Sequence, residues 1–260
     1  RLGAISTSKD GRLLAYAVDD NGSERFTARF KDLATGERLP GEIPGTLSAL
    51  VWVAGDRGIV YSVANENWRT DNARLHWLSQ PVEQDVEIYH EDDEGFRVSA
   101  SLSAQEDWLV IGTGDHETSE VRLVRADDPL GEQILVRARE KGVEYDVDLR
   151  THDGTTTLFV HANDTHENFR LATASLDAPG TWTTLIEGTD RFYLTGFDLF
   201  RDFYVIEGRL AGLDRIEVRY YDDPARVEPI EFPEESYSAG LGSNPEYDQT
   251  VLRVSYESMI

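Results

Sequence analysis

The chain has 260 residues, 40% of them hydrophobic, with 25 Lys and Arg against 49 Asp and Glu for a formal charge of -24. That apolar share supports a sizeable core and excludes a disordered tail, and no apolar run approaches the roughly eighteen residues of a membrane-spanning helix, so no membrane partner is expected. The acidity excludes nucleic acid as an expected partner, because phosphates need Lys and Arg to displace their counterions.

From the N-terminus onward, period-2 alternation marks strands nearly everywhere and no amphipathic helix longer than a turn or two. Behind the Asp10-Gly11 turn comes the apolar run Leu13-Leu14-Ala15-Tyr16, then Asp20-Asn21-Gly22, an alternating strand over Phe26 to Phe30, and the Thr35-Gly36 turn. A second unit opens on Leu47 to Val53 and continues through Ile59-Val60-Tyr61, Arg74 to Leu78 and a shorter Val86 to Tyr89. The third holds Val98 to Leu102, Leu109-Val110-Ile111, Glu120 to Val124 and Ile134 to Val136. In the fourth, Tyr145 to Leu149 and the Asp153-Gly154 turn precede Leu158-Phe159-Val160, Asn168 to Ala172 and Thr183 to Ile186. Phe192 to Phe197, Phe203 to Ile206 and Arg215 to Tyr220 form a fifth, and Tyr237 to Leu241 with Val251 to Val254 begin a sixth.

The apolar runs behind the turns recur at intervals of about 45 to 50 residues, the spacing of four-stranded propeller blades. A sandwich or jelly roll also has many strands, but no reason to repeat a four-strand unit. The expected fold class is therefore all-β, a β-propeller with blades over residues 1–44, 45–93, 94–141, 142–189, 190–235 and a partial one over 236–260. That is about five and a half blades of a ring expected to hold about seven. Arg1 rather than Met stands first, so the chain is expected to begin inside a longer product.

Candidate chemistry is sparse. No Gly-x-Ser-x-Gly elbow occurs, and Ser243 in Gly240-Leu241-Gly242-Ser243-Asn244-Pro245 reads as a turn residue, so no catalytic residue is assigned. His161 and His166 flank an Asp-Thr turn and Asp115-His116-Glu117 forms another cluster, but neither supplies three or four converging ligands; both read as hairpin tips. Asp19 to Glu24 has its glycine too early for a calcium loop and reads as a capped turn. No metal and no cofactor are expected. The absence of cysteine excludes a disulfide framework and fits a reducing compartment, so a cytoplasmic location is expected, with the periplasm as the alternative. Trp52, Trp77, Trp108, Trp182 and the pair Tyr220-Tyr221 are expected to pack between blades, whereas Trp68, in the polar stretch Asn65 to Asp71, is a candidate contact to another domain.

Leu2-Gly3-Ala4, Ser8-Lys9-Asp10-Gly11-Arg12-Leu13-Leu14-Ala15-Tyr16, Leu33-Ala34-Thr35-Gly36-Glu37, Thr118-Ser119-Glu120-Val121-Arg122-Leu123, His166-Glu167-Asn168-Phe169-Arg170-Leu171 and Tyr256-Glu257-Ser258-Met259 follow, in order, the patterns of one family. Across essentially the whole chain the sequence resembles the propeller of the prolyl oligopeptidase family of serine peptidases, with oligopeptidase B the nearest branch. The resemblance implies a propeller that filters short peptides, cleaved after Arg and Lys in that branch, for an α/β-hydrolase domain of the same polypeptide, a domain absent from these residues. Connections between outer and inner strands carry Glu91, Asp92, Asp93 and Glu94, then Glu144, Asp190, Glu234 and Glu235, and are expected to form an acidic collar that steers basic peptides. The competing reading of the collar is a solvated loop set that maintains solubility. The competing reading of the chain is a stand-alone propeller that binds a protein or small ligand.

Overall fold

The computed structural model describes residues 1–258, apart from the side chain of Ser48. Met259, the end of the last matching segment, lies outside them. The described residues hold twenty-one strands, β1 to β21, and one short 3-10 turn at Val82–Gln84. They fall into two compact units, Arg1–Ala138 and Arg139–Ile260. The chain is all-β, built from the four-stranded antiparallel sheets of a propeller.

In the first unit a sheet runs in the order β1 (Leu2–Thr7), β2 (Leu13–Val18), β3 (Phe26–Asp32), β4 (Arg38–Val53), β5 (Gly58–Val63), β6 (Asn72–Trp77) and β7 (Val86–His90). A second sheet holds β8 (Arg97–Leu102), β9 (Trp108–Gly114), β10 (Ser119–Arg125) and β11 (Ile134–Arg137). The first sheet is two propeller blades joined by one strand. β4 pairs with β3 up to Thr46 and with β5 from Thr46 onward, so the expected strand over Leu47 to Val53 begins nine residues earlier, at Arg38. Gly41 and Gly45, at φ 88° and 75°, fall at the two register shifts of the β3–β4 pairing and bend β4 there without ending it.

Alternation decides which core each residue enters. On β5, Ile59 and Tyr61 pack with Ala15, Ala17, Phe26, Phe30 and Trp52, whereas Val60 faces Ala73, Leu75, Val98, Leu109 and Ile111. Ile59 and Val60 are both fully buried, so this strand is covered on both faces. Trp52 anchors the first contact further, its Nε1–H donating to the Ser6 carbonyl at 3.1 Å.

The second unit repeats the plan in β12 (Tyr145–His152), β13 (Thr155–Ala162), β14 (Arg170–Ser175) and β15 (Thr183–Ile186). The next sheet comprises β16 (Phe192–Leu199), β17 (Phe203–Leu210), β18 (Leu213–Tyr220) and β19 (Val227–Pro229), and β20 (Tyr237–Leu241) pairs with β21 (Val254–Ser258). Phe200, Val205 and Ile216 are buried against Phe232, Leu241, Leu252 and Val254. Gly208 sets a steric limit within this unit. A Cβ there would lie 2.4 Å from Phe192 Cζ and 2.6 Å from the Tyr193 carbonyl oxygen. Gly208→Ala is therefore expected to cost about 1 to 3 kcal/mol in thermal unfolding, the range for overpacking.

Candidate functional site: acid-rich connections and the loops beside them

Antiparallel winding puts the connection leaving each outer strand at the same end of its sheet as the hairpin between the second and third strands. In the first unit that end carries residues 19–25, 65–71 and 115–118 as hairpins and residues 91–96 as the connection. An Asp or Asn closes each hairpin by accepting backbone N–H groups. Asp19 accepts from Asn21, Gly22 and Ser23 on Oδ1 and from Glu24 on Oδ2, at 2.8 to 3.3 Å. These bonds, that from Glu24 foremost, hold its carboxyl below the usual range. Asn65 accepts from Asn67 and Arg69, and Asp115 from Glu117 and Thr118, so the calcium-like and ligand-like clusters are both turns.

Trp68 is 51% exposed and sits at φ 59°, a left-handed conformation that a bulky aromatic rarely adopts. The Arg25 guanidinium lies 4.7 Å from its ring centroid, joining the tips of adjacent hairpins. The acidic connection is fastened to this same loop. Glu91 N–H donates to the Asp71 carbonyl at 2.8 Å and Val98 N–H to the Thr70 carbonyl at 2.7 Å.

The four acids of that connection are not equivalent. Glu91 is buried, receiving the Tyr89 hydroxyl at 3.1 Å and the Asp93 N–H at 3.0 Å, and it holds the loop together. Asp92 is fully exposed, 3.7 Å from His90 Nε2. Asp93 and Glu94 are exposed too, Asp93 also accepting from Gly95 N–H at 2.8 Å.

In the second unit, Glu144 is half-buried, its Oε1 receiving Asn163 Nδ2 at 3.3 Å while its own N–H donates to Asn163 Oδ1 at 2.8 Å. Asp190 is 94% exposed and lies 3.2 Å from His166 Nε2. Asn168 Nδ2 donates to the Thr189 carbonyl at 2.9 Å, so this connection is also tied to its neighbouring hairpin. Glu235 is exposed, whereas Glu234 is half-buried.

His161 departs from the hairpin-tip reading. It lies on β13, buried, with Nδ1 2.9 Å from Asp146 Oδ2, Nε2 3.0 Å from the Leu194 carbonyl, and its ring stacked on Phe169. It ties β13 to β16 of the next sheet; the strand continues past the point where its polar neighbours suggested a turn. Sequence reasoning also missed a recurring motif. Glu24, Trp68 and Phe169 all have φ near 60° and each precedes an arginine: Arg25, Arg69 and Arg170. The signal was present as an Asp or Asn, then an arginine a few residues on, in three of the hairpins.

The sequence model described as "Prolyl oligopeptidase, N-terminal beta-propeller domain" matches residues 1–260. Dipeptidyl aminopeptidase BI of Pseudoxanthomonas mexicana is 33% identical over 261 residues, which cover 99% of this chain and 35% of that protein. Protease 2 of Moraxella lacunata is 29% identical over 253 residues, 96% of this chain and 36% of that protein. Among solved structures, oligopeptidase B from Leishmania major superposes with a TM-score of 0.90 at 25% identity, over 99% of this chain and 37% of that one. Oligopeptidase B from Trypanosoma brucei, in a closed form with covalently bound antipain, gives 0.89 at 28% identity, over 100% and 37%. The chain thus spans little more than a third of these relatives. A match along its whole length, on a fold of four-stranded sheets, makes this chain an N-terminal β-propeller domain of the prolyl oligopeptidase family.

Proposed function

We propose that the chain is the non-catalytic propeller of a serine oligopeptidase, gating the access of short basic peptides to an α/β-hydrolase domain of the same polypeptide. The observation that carries this reading is the exposed run Asp92-Asp93-Glu94, fastened by backbone hydrogen bonds to the hairpin that presents Trp68. Like charges on a low-dielectric surface add their fields and attract cations over a distance. A half-exposed Trp in a left-handed conformation, braced by Arg25, offers apolar area for contact with a neighbouring domain at the same end of the sheet. Relatives of nearly three times this length provide room for such a domain.

The test uses the full-length polypeptide with Asp92, Asp93 and Glu94 changed to Asn, Asn and Gln. Glu91 stays, because it holds the loop through Tyr89 and Asp93. At low salt, kcat/KM for a dibasic peptide is expected to fall about threefold to tenfold, with no change for an uncharged peptide. The difference should vanish near 1 M salt, where the Debye length has dropped from about 10 Å at 0.1 M to about 3 Å. Equal values for parent and variant at low salt would remove the steering role.

A further inference from the structure

A groove of about 1100 Å³ runs along the inner strands of the first unit, walled by β1, β4 and β8 through Ala4, Ser6, Leu50, Trp52, Ala100 and Ser101. Its strand walls are uncharged, while charged residues gather at one end, where β1, β4 and the β8–β9 hairpin turn. Lys9 crosses that end. Lys9 and Asp10 N–H groups donate to Asp56 Oδ1 and Oδ2 at 3.1 and 3.2 Å, linking the turn after β1 to the turn after β4. The Lys9 ammonium then reaches the turn after β8, lying 3.0 Å from Glu106 Oε2 and donating to the Gln105 carbonyl at 3.4 Å.

The two links differ in kind. Asp56 holds backbone donors with both oxygens, a charge-assisted arrangement that adds no side-chain freedom to be lost on the donor side. The Lys9–Glu106 pair is exposed, 66% and 43% for the two side chains, so solvent and salt weaken it. Asp56 and Glu106 both occupy left-handed backbone, at φ 63° and 59°, so each turn spends strain to present its acid here.

We propose that Lys9 is a strap that closes this mouth of the groove against extended peptides and opens as ionic strength rises. Peptide transit rests on the proposed oligopeptidase role, but the strap itself does not, and it can be measured without hydrolysis. Because this chain has no cysteine, Ser101→Cys places a single thiol in it, on an exposed wall position. In the full-length polypeptide, the labelling rate of that site, assigned by peptide mapping, is compared for a small maleimide and a maleimide-capped peptide. At low salt the peptide reagent is expected to label the parent slowly, and up to about fivefold faster in Lys9→Met or Glu106→Gln, the upper end of what an exposed ion pair contributes. Raising salt should speed the parent alike and leave both variants unchanged, with the small reagent constant throughout. Equal peptide-reagent rates in parent and variants at low salt would overturn the strap. So would a rise for both reagents in Glu106→Gln, which keeps the side-chain shape and would then report general loosening.

Discussion

Asp164→Ala is expected to destabilise the second unit by about 3 to 5 kcal/mol, the cost of leaving one partner of a buried ion pair alone. Arg170 donates through Nε and Nη2 to the two Asp164 oxygens, both at 2.9 Å, and the side chains are 8% and 9% exposed. Its Nη1 also donates to the Thr184 hydroxyl on β15, so the guanidinium joins the hairpin before β14 to the outer strand of the sheet. Without the carboxylate, a buried cation keeps its desolvation penalty and loses its strongest compensation. Trp182, the one tryptophan after residue 139, packs edge-on against Tyr145 at 5.0 Å and reports unfolding of this unit by fluorescence. The double replacement Asp164→Leu with Arg170→Met should recover most of the loss, since a matched apolar pair carries no such penalty. If the single variant unfolds at the parental urea concentration, the pair has no structural weight.

The second large effect lies in the first unit, at Asp85. Its side chain is 1% exposed, and it receives the Tyr61 hydroxyl on Oδ2 and His76 Nδ1–H on Oδ1, both at 2.7 Å. Phe30 of β3 stacks on the His76 ring at 5.8 Å, so this polar node sits inside the contact between the first two blades. Asp85→Ala strands two buried polar groups at about 1 to 3 kcal/mol each, for an expected loss of about 2 to 6 kcal/mol in urea unfolding. Burial, with the Asp85 hydrogen bond and charge behind it, pushes the Tyr61 phenol far above its ordinary value. A phenol held neutral in the fold contributes stability that is complete below its unfolded value near 10 and is lost as pH rises above it. The parent should therefore lose stability above about pH 10, and Asp85→Asn should lose less in total, the loss ending at a lower pH because the anion is gone while burial remains. Losses of equal extent in the two proteins would show that Asp85 does not act on Tyr61.

Much of this fold was legible because each strand with one buried face repeats its apolar residues every second position. Leu158-Phe159-Val160 and Phe203 to Ile206 read as strands from composition alone, and Asp153-Gly154 became a two-residue turn between paired His152 and Thr155. Two strands escaped. β1, Leu-Gly-Ala-Ile-Ser-Thr, is largely exposed, and β19 is three residues ending in Pro229, so neither has a buried face to imprint an alternation. Acidic residues were legible as a group but not singly. Glu91 and Asp92 are neighbouring acids in the sequence, yet Glu91 is buried and receives the Tyr89 hydroxyl and the Asp93 N–H, whereas Asp92 is fully exposed. The Lys9 contacts were equally silent, since Asp56 and Glu106 lie far along the chain in other turns. Likewise His161 looked like a turn residue because its partners, Asp146 and the Leu194 carbonyl, are supplied by distant strands.

The passage of β4 from one blade into the next has a mechanical consequence. Thr46 pairs with Phe26 on one side and Val63 on the other, so the first two blades share one hydrogen-bonded sheet. Side-chain packing alone can slide or part by a small shear, but a ladder must break bonds to do so. Any breathing of the first unit that widens a gap between blades is thereby directed away from this seam, toward the boundary at β7 and β8, where the sheets are separate. Amide exchange along β4 and β5 is then expected to report one cooperative opening that involves both blades.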